Sequence, residues 1–552
     1  MTQDNSILAR FDKKDASLSL AYVVIAFLAI FIGAIAGLLQ GLDRGHLITL
    51  PSTLYYEILT AHGVMMGVIF TTFFIIGFLF AGTARTVGGL TNLSRSLGWI
   101  GYWMMVIGTA LGTAEILAGN ASVLYTFYAP LKASPFFYIA LTLIVVGSWL
   151  GGYGIFASFV NWRRNHKGQT TPLFAYMATA TMALWQIATL GVAAEVLFQL
   201  IPWSFGWVPT IDVLLSRTLF WFFGHPLVYF WLLPAYACWY VNIPKIIGTK
   251  LFSNALPRVT FMLFLLLSTP VGFHHQLLEP GIPPSWKALH VALTMGVVIP
   301  SLMTAFALFA TFEIRGRERG AKSLFGWFSS LPYSDVRFFG PFMGMLMFIP
   351  AGIGGIINAS FQLDEVVHNT LWVTGHFHIT VGAAVALTFF GTAYWLIPAL
   401  NGRVLTPRMN KMGLLQVFLW VVGMTFMSVS MHTLGLLGEP RRTAFTNYLN
   451  SPVVQEWAGM RLTLAIGGII LFISAMILTA NIVNLLFFAP KGETEFPVAE
   501  EAAATPESVP PILERWGVWL SIAVVLVLIA YTMPVYDQIQ LHPPGSKGFV
   551  TW

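Results

Sequence analysis

Charge is what this chain has least of. Of its 552 residues only 9% are Asp, Glu, Lys or Arg, against about 25% in ordinary soluble domains, while 57% are hydrophobic. Cysteine is almost as scarce: Cys238 stands alone, which excludes an intrachain disulfide and a thiolate cluster, so any metal must rely on histidine. No Gly-rich nucleotide loop, no repeat of fixed period and no soluble domain is visible. The opening MTQDNSILARFDKKDAS has no signal-peptide pattern, so the first apolar segment is expected to persist as a helix. The formal net charge of +6 is scattered among loops and argues for no nucleic-acid partner.

What is present is apolar runs of spanning length. Thirteen can be read, at 18–39, 61–81, 97–116, 136–156, 177–200, 213–241, 259–277, 287–313, 336–357, 371–397, 412–437, 462–487 and 516–533. The second is expected to begin near Ser52, capped by Ser52 or Thr53. The fold class is therefore all-α, a polytopic membrane bundle of thirteen transmembrane helices. The amino-terminal segment, the even-numbered loops and the start of the ninth segment hold 21 of the 29 Lys and Arg. That bias puts the N-terminus inside and the C-terminus outside. The chain then divides into an inner segment 1–17, a twelve-helix core 18–487, an acidic inner linker 488–515 and an extra helix with an outer tail, 516–552. The linker, rich in Ala and Pro, is expected to be a flexible tether.

One segment is unusual. Trp221–Tyr240, WFFGHPLVYFWLLPAYACWY, carries His225 and Tyr229 four residues apart, neighbours on one helix face. Tyr236 and Tyr240 fall within about 20° of the Tyr229 direction. Polar groups at such depth are costly and mark function.

Of twelve histidines, six matter: His62, His225, His274, His275, His376 and His378. The topology brings them from four segments to the same outer depth. In GHFH, His376 and His378 are about 200° apart on a helix and face opposite sides, where they can serve two flat cofactors. The adjacent His274 and His275 can converge on one ion only where the helix loosens, and Pro270 and Gly272 supply that loosening. With His225 they would form a three-imidazole site suited to copper, iron or zinc. His46, His166, His290, His432 and His542 fit no such pattern and read as structural or solvent-facing.

LFWFFGHPLVYFWLLPAY, STPVGFHHQ, PSLMTAF and HNTLWVTGHFH, with EPRR at 439–442, resemble the signatures of haem–copper oxygen reductase subunit 1. The similarity runs from the second to the eleventh segment. It is greatest to the B family, the ba-type cytochrome c oxidases, which carry an extra helix after the shared twelve. The resemblance implies that His62 and His378 are axial ligands of a low-spin haem, of b type. It implies His376 as proximal ligand of a high-spin haem (a, o or b type), facing one copper ion held by His225, His274 and His275. Tyr229 would be cross-linked to His225 and would supply an electron and a proton to O₂ cleavage. Arg441, Arg442, Asp364 and His368 would meet haem propionates. Tyr236 and Tyr240, with Thr294, Ser301 and Thr304 of the eighth segment, resemble the single K-type proton route that ends at Tyr229. The A family has a glutamate where this chain has Leu227, so the second proton route should be absent. The implied partners are a subunit 2 bearing a two-copper centre, cytochrome c as donor, O₂, and a small single-helix subunit, in a prokaryotic plasma membrane. The rival readings are a nitric oxide reductase, which generally lacks the tyrosine and has acidic residues near its metal, and a haem or copper transporter. Neither predicts Tyr229, and the transporter does not predict the GHFH geometry.

Overall fold

Long apolar runs must satisfy their backbone internally, and helices do so. The structure, a computed structural model, describes residues 11–444, 447–496, 509–541 and 545–550. His542 and the linker residues 497–508 lie outside the described residues. Twelve described helices are long and apolar enough to cross a membrane: α1 Lys13–Arg44, α2 Ser52–Val87, α3 Asn92–Leu117, α4 Pro135–Asn165, α5 Leu173–Ser204 and α6 Val213–Ile247, then, after the shorter α7 Ala255–Ser268, α8 Pro284–Glu318, α9 Val336–Asn358, α10 Leu371–Asn401, α11 Pro407–Leu436, α12 Pro452–Phe488 and α13 Trp516–Leu541.

Side-chain caps set several starts. Asp12 accepts the Lys14 N–H at 2.7 Å, Thr91 the Ser94 N–H at 3.1 Å and Asp212 the Leu215 N–H at 3.0 Å. α2 departs from expectation. Its cap position is Pro51, which makes no side-chain bond; Ser52 is already helical, so neither Ser52 nor Thr53 caps it. The rigid φ of a proline starts the turn without a hydroxyl.

The seventh segment, 259–277, breaks where Pro270 and Gly272 are expected to loosen it. α7 stops at Ser268, and Phe273–Gln276 form a single 3₁₀ turn. Pro270 has no N–H to continue the ladder. Gly272 passes so close to α6 that a Cβ there would lie 2.7 Å from the Trp221 carbonyl oxygen. The break is therefore built by both the chain and its neighbour.

Packing decides which helices are central. In α2, α6 and α10, 89%, 83% and 94% of the apolar window is buried; in the other long helices the share is 22–50%. The innermost helices are those carrying His62, His225 and the His376/His378 pair. Peripheral pairs close through small residues, as membrane helices do. A Cβ on Gly101 of α3 would lie 2.4 Å from Gly147 O of α4, and one on Gly467 of α12 would lie 2.8 Å from Gly423 O of α11.

The loops sort by parity. At one end Arg44 reaches Glu439, Thr370 pairs with Pro440, and the tail strand β2 (Ser546–Lys547) pairs with β1 (Thr210–Ile211). At the other end Arg403 pairs with Lys491, and Glu514 binds Arg163 and Arg258. Odd loops meet odd and even meet even, as alternating helices require. Both described ends of the 488–515 linker are thus bonded to the core: Gly492 N–H donates to Gly402 O at 3.0 Å, and Tyr176 OH donates to Leu513 O at 2.9 Å.

Candidate metal and haem centre

The His225, His274 and His275 side chains converge. Their ligand nitrogens all lie within 4.8 Å of one another, and His225 Nδ1 is 3.2 Å from His275 Nε2. Two metal–imidazole bonds of about 2.0 Å at a tetrahedral angle would put their nitrogens about 3.3 Å apart. The broken α7 makes this possible, because the 3₁₀ turn swings two adjacent imidazoles toward α6. Two contacts orient them. His275 stacks on Trp221 at 3.9 Å between ring centroids. Thr294 Oγ1 donates to His290 O at 2.7 Å and lies 3.0 Å from His274 Nδ1. With its one proton spent on the carbonyl, the hydroxyl accepts from Nδ1–H and leaves Nε2 of His274 free to ligate. His225 Nε2 is buried without a hydrogen-bond partner, and the Tyr229 ring sits one turn below at 4.9 Å.

His62 and His378 form the second arrangement. Their rings are 6.1 Å apart and only 10° from parallel. A metal held between two nitrogens at about 2.0 Å each would set the centroids about 6.3 Å apart. Both Nδ1 atoms are committed, His62 to Gly33 O at 2.9 Å and His378 to Thr374 O at 2.8 Å, so both Nε2 atoms are available. Each residue sits at an α-to-π transition, with π segments at Val64–Phe70 and His378–Val385. Such bulges recur at functional sites. The sequence held no readable signal for them.

His376 faces the other way, onto α9, where a Cβ on Gly354 would lie 2.7 Å from its Nδ1. The opposed directions expected of GHFH are therefore present. A cavity of about 300 Å³ runs past His62, His378, His376, His274 and His275. One continuous space thus joins the His62/His378 pair to His376 and to the His274–His275 turn. The donor sets and their spacing fit haem and copper.

The outer end of the cavity is polar. Asp364, His368, Arg441 and Arg442 all line it, and His368 Nδ1 lies 2.9 Å from Asp364 Oδ2. Arg441 donates to Asn369 Oδ1 at 3.1 Å, yet its Nε is enclosed without a partner. Burial, and then the charge of Arg442, lower its pKa to about 10, so it stays cationic at neutral pH. An enclosed guanidinium with a spare N–H is what a carboxylate would fill. Arg442 has a left-handed backbone (φ 62°) and lies over the Tyr128 ring at 5.0 Å.

Below Tyr229 the expected hydroxyls divide. Tyr240 OH donates to Thr304 Oγ1 at 2.8 Å, and Tyr236 OH approaches Ser301 Oγ at 3.5 Å. Thr294, in contrast, sits at the ligand turn. Leu227 is buried and lines the cavity, with no carboxylate at that position.

Sequence reasoning missed Arg44, which also lines the cavity. Arg44 and Arg461 share the Glu439 carboxylate at 2.9 and 3.1 Å. A lone arginine ending an apolar helix was the available signal, but its partner is 395 residues away. Of the remaining histidines, His432 Nδ1 bonds Ser428 O at 2.7 Å, His166 stacks on Trp162, and His46 accepts from Arg461 at 2.8 Å. His290 is fully buried beside the ligand turn.

Comparison with known proteins gives the family. The family described as Cytochrome C and Quinol oxidase polypeptide I matches residues 17–470. Cytochrome c oxidase subunit 1 of Thermus thermophilus is 40% identical, over 97% of this chain and 96% of its own. Quinol oxidase subunit 1 of Bacillus subtilis (strain 168) is 25% identical, over 84% and 71%. A cryo-electron microscopy structure of a haem–copper terminal oxidase dimer superposes with a TM-score of 0.92 at 36% identity, covering 97% of this chain and 95% of that one. The chain belongs to the cytochrome c and quinol oxidase polypeptide I family and is the catalytic subunit of a haem–copper terminal oxidase.

Proposed function

We propose that the chain is a B-type, ba-type oxygen reductase subunit that reduces O₂ to water with electrons from cytochrome c and couples this to proton uptake and pumping. The observation that carries the reading is the convergence of His225, His274 and His275 nitrogens within 4.8 Å, one helical turn from Tyr229. In this reading His62 and His378 hold a low-spin haem of b type, and His376 holds a high-spin haem of a, o or b type. His225, His274 and His275 hold one copper. Bound there, iron and copper supply the redox chemistry of dioxygen reduction.

The protein's part is positioning and protons. Trp221 and Thr294 fix the ligand rings, so the site pays little reorganisation when the metal changes charge. Tyr229 donates its phenolic hydrogen to the reacting oxygen. A proton from the inner side, passed through Tyr240, Thr304, Tyr236 and Ser301 with waters spanning the gaps, and an electron from the cytochrome c donor restore the phenol. Leu227 carries no proton, so no second route ends at that position, which supports the B-type reading. Arg441 and Arg442 receive the haem propionates, and the Asp364–His368 pair beside them takes up pumped protons.

The partners we assign are a subunit 2 with a two-copper centre that accepts electrons from cytochrome c, and a small single-helix subunit. The setting is a prokaryotic plasma membrane. Residues 1–17 and 488–515 lie inside, around a core of 18–487, and 516–552 form an added helix and outer tail. The test is reduced-minus-oxidised and CO-difference spectra of the purified complex, with iron and copper quantified and O₂ uptake followed. Two haems and a histidine-bound copper with O₂ consumption are expected. An iron-only dinuclear site turning over NO would refute the reading, as would substoichiometric metal.

A further inference from the structure

Three features outside the ligand set meet at the α7 break. His290 of α8 is fully buried, and its Nδ1 accepts two backbone N–H groups, Gly272 at 3.0 Å and Phe273 at 3.2 Å. These are the amides immediately before His274 and His275. An Nδ1 that accepts twice leaves the proton on Nε2, which lies 3.3 Å from Ala530 O of α13. That carbonyl is free because Pro534, four residues on, has no N–H to offer it. Around this bridge Phe273 stacks on His290 at 4.2 Å, and Tyr531 meets both rings, at 5.4 and 5.1 Å. Phe273, Ile282, Ala530 and Tyr531 form a small buried cluster of their own.

We propose that His290 is a positioning residue for the metal site, and that α13 serves as its anchor: the carbonyl released by Pro534 fixes the His290 ring, and the ring fixes the two amides that launch the His274–His275 turn. In hydrocarbon those amides have no water to bond, so an unbroken α7 competes with the turn unless something accepts them. His290 removes that competition. It also ties the turn to Thr294 on the same helix, which binds His274. A helix that carries no proposed cofactor ligand thereby acquires a role in copper retention. The inference rests on the copper assignment above.

The test uses the intact complex and measures copper retained against a chelator, with low-spin haem absorbance as internal control. His290→Phe fills the space but accepts nothing, and should lose copper about 10–100-fold faster, the usual cost of removing an outer partner of a metal ligand. His290→Gln, which keeps an acceptor and a donor, should restore most of the retention. Pro534→Ala returns an N–H to the Ala530 carbonyl and should fall between. The infrared band of CO on copper should broaden in the same order. If the wild type holds no copper, the copper assignment itself fails. If the wild type holds it and His290→Phe retains it equally, or loses low-spin haem in parallel, the positioning role is refuted. Should His290→Phe not fold, unchanged retention in Pro534→Ala refutes it.

Discussion

Two glycines give the proposed haem ligands separable handles. A Cβ on Gly354 would lie 2.7 Å from His376 Nδ1, about 0.7 Å short of the 3.4 Å where ordinary contact begins. A Cβ on Gly37 would lie 2.8 Å from His62 Cε1 and 2.9 Å from its Nδ1. Alanine in a helix interior gains about 0.5–1 kcal/mol over glycine, whereas overpacking costs about 1–3 kcal/mol, so the clash should win at both positions. Gly352, on the same helix as Gly354, has nothing within 4 Å, and Gly352→Ala keeps only the gain. Absorption spectra of the reduced and CO-bound complexes read the two haems separately. Gly354→Ala should perturb the CO-binding haem and leave the low-spin band in place. Gly37→Ala should do the reverse, and Gly352→Ala should do neither. A Gly354→Ala complex with a normal CO spectrum, or with the low-spin band shifted instead, would refute the assignment of His376.

Further perturbations probe the other parts. Tyr229→Phe should cut O₂ turnover by on the order of 10²–10⁴-fold with metals retained, since it removes a proton donor at the reacting atoms; intact turnover would remove Tyr229 from the mechanism. Thr304→Val breaks the 2.8 Å bond from Tyr240 and should slow turnover while CO binding stays normal, with Thr304→Ser restoring the rate. A Thr304→Val enzyme of wild-type rate would place the proton path elsewhere. Glu439→Gln leaves Arg44 and Arg461 facing a neutral group and should cost about 3–5 kcal/mol, read as a lowered thermal midpoint; an unchanged midpoint would show the triad to be unimportant. Burial, and then the Arg461 charge, lower the pKa of His46, so the unfolded chain protonates first and stability falls as pH drops below about 6.5. His46→Gln keeps an acceptor for Arg461 and should flatten that acid limb, and a profile matching wild type would assign it to another group.

The sequence was most legible where one helix carries the whole signal. The His225/Tyr229 neighbours and the opposed His376 and His378 follow from 3.6-residue periodicity, and Pro270 with Gly272 marked where α7 would loosen. The extent of that loosening was not legible, because Trp221 of α6 fixes it as much as Pro270 does. Thr294 shares a helical face with Ser301 and so read as one more proton-path hydroxyl. Only the tertiary contact with His274 shows that it orients a ligand. Arg44, Glu439 and His290 were illegible for the same reason: each acts through a partner far along the chain. The α-to-π shifts at His62 and His378 leave no mark in residue type.

The central claim is that a copper held by His225, His274 and His275 faces the haem on His376. Light-induced infrared difference spectroscopy of the CO-bound complex at low temperature tests it most directly. The account predicts that CO released from the haem is recaptured nearby, with an iron–CO band replaced by a copper–CO band that His274→Ala abolishes. Release of CO with no second band, or a second band unaffected by His274→Ala, would contradict it.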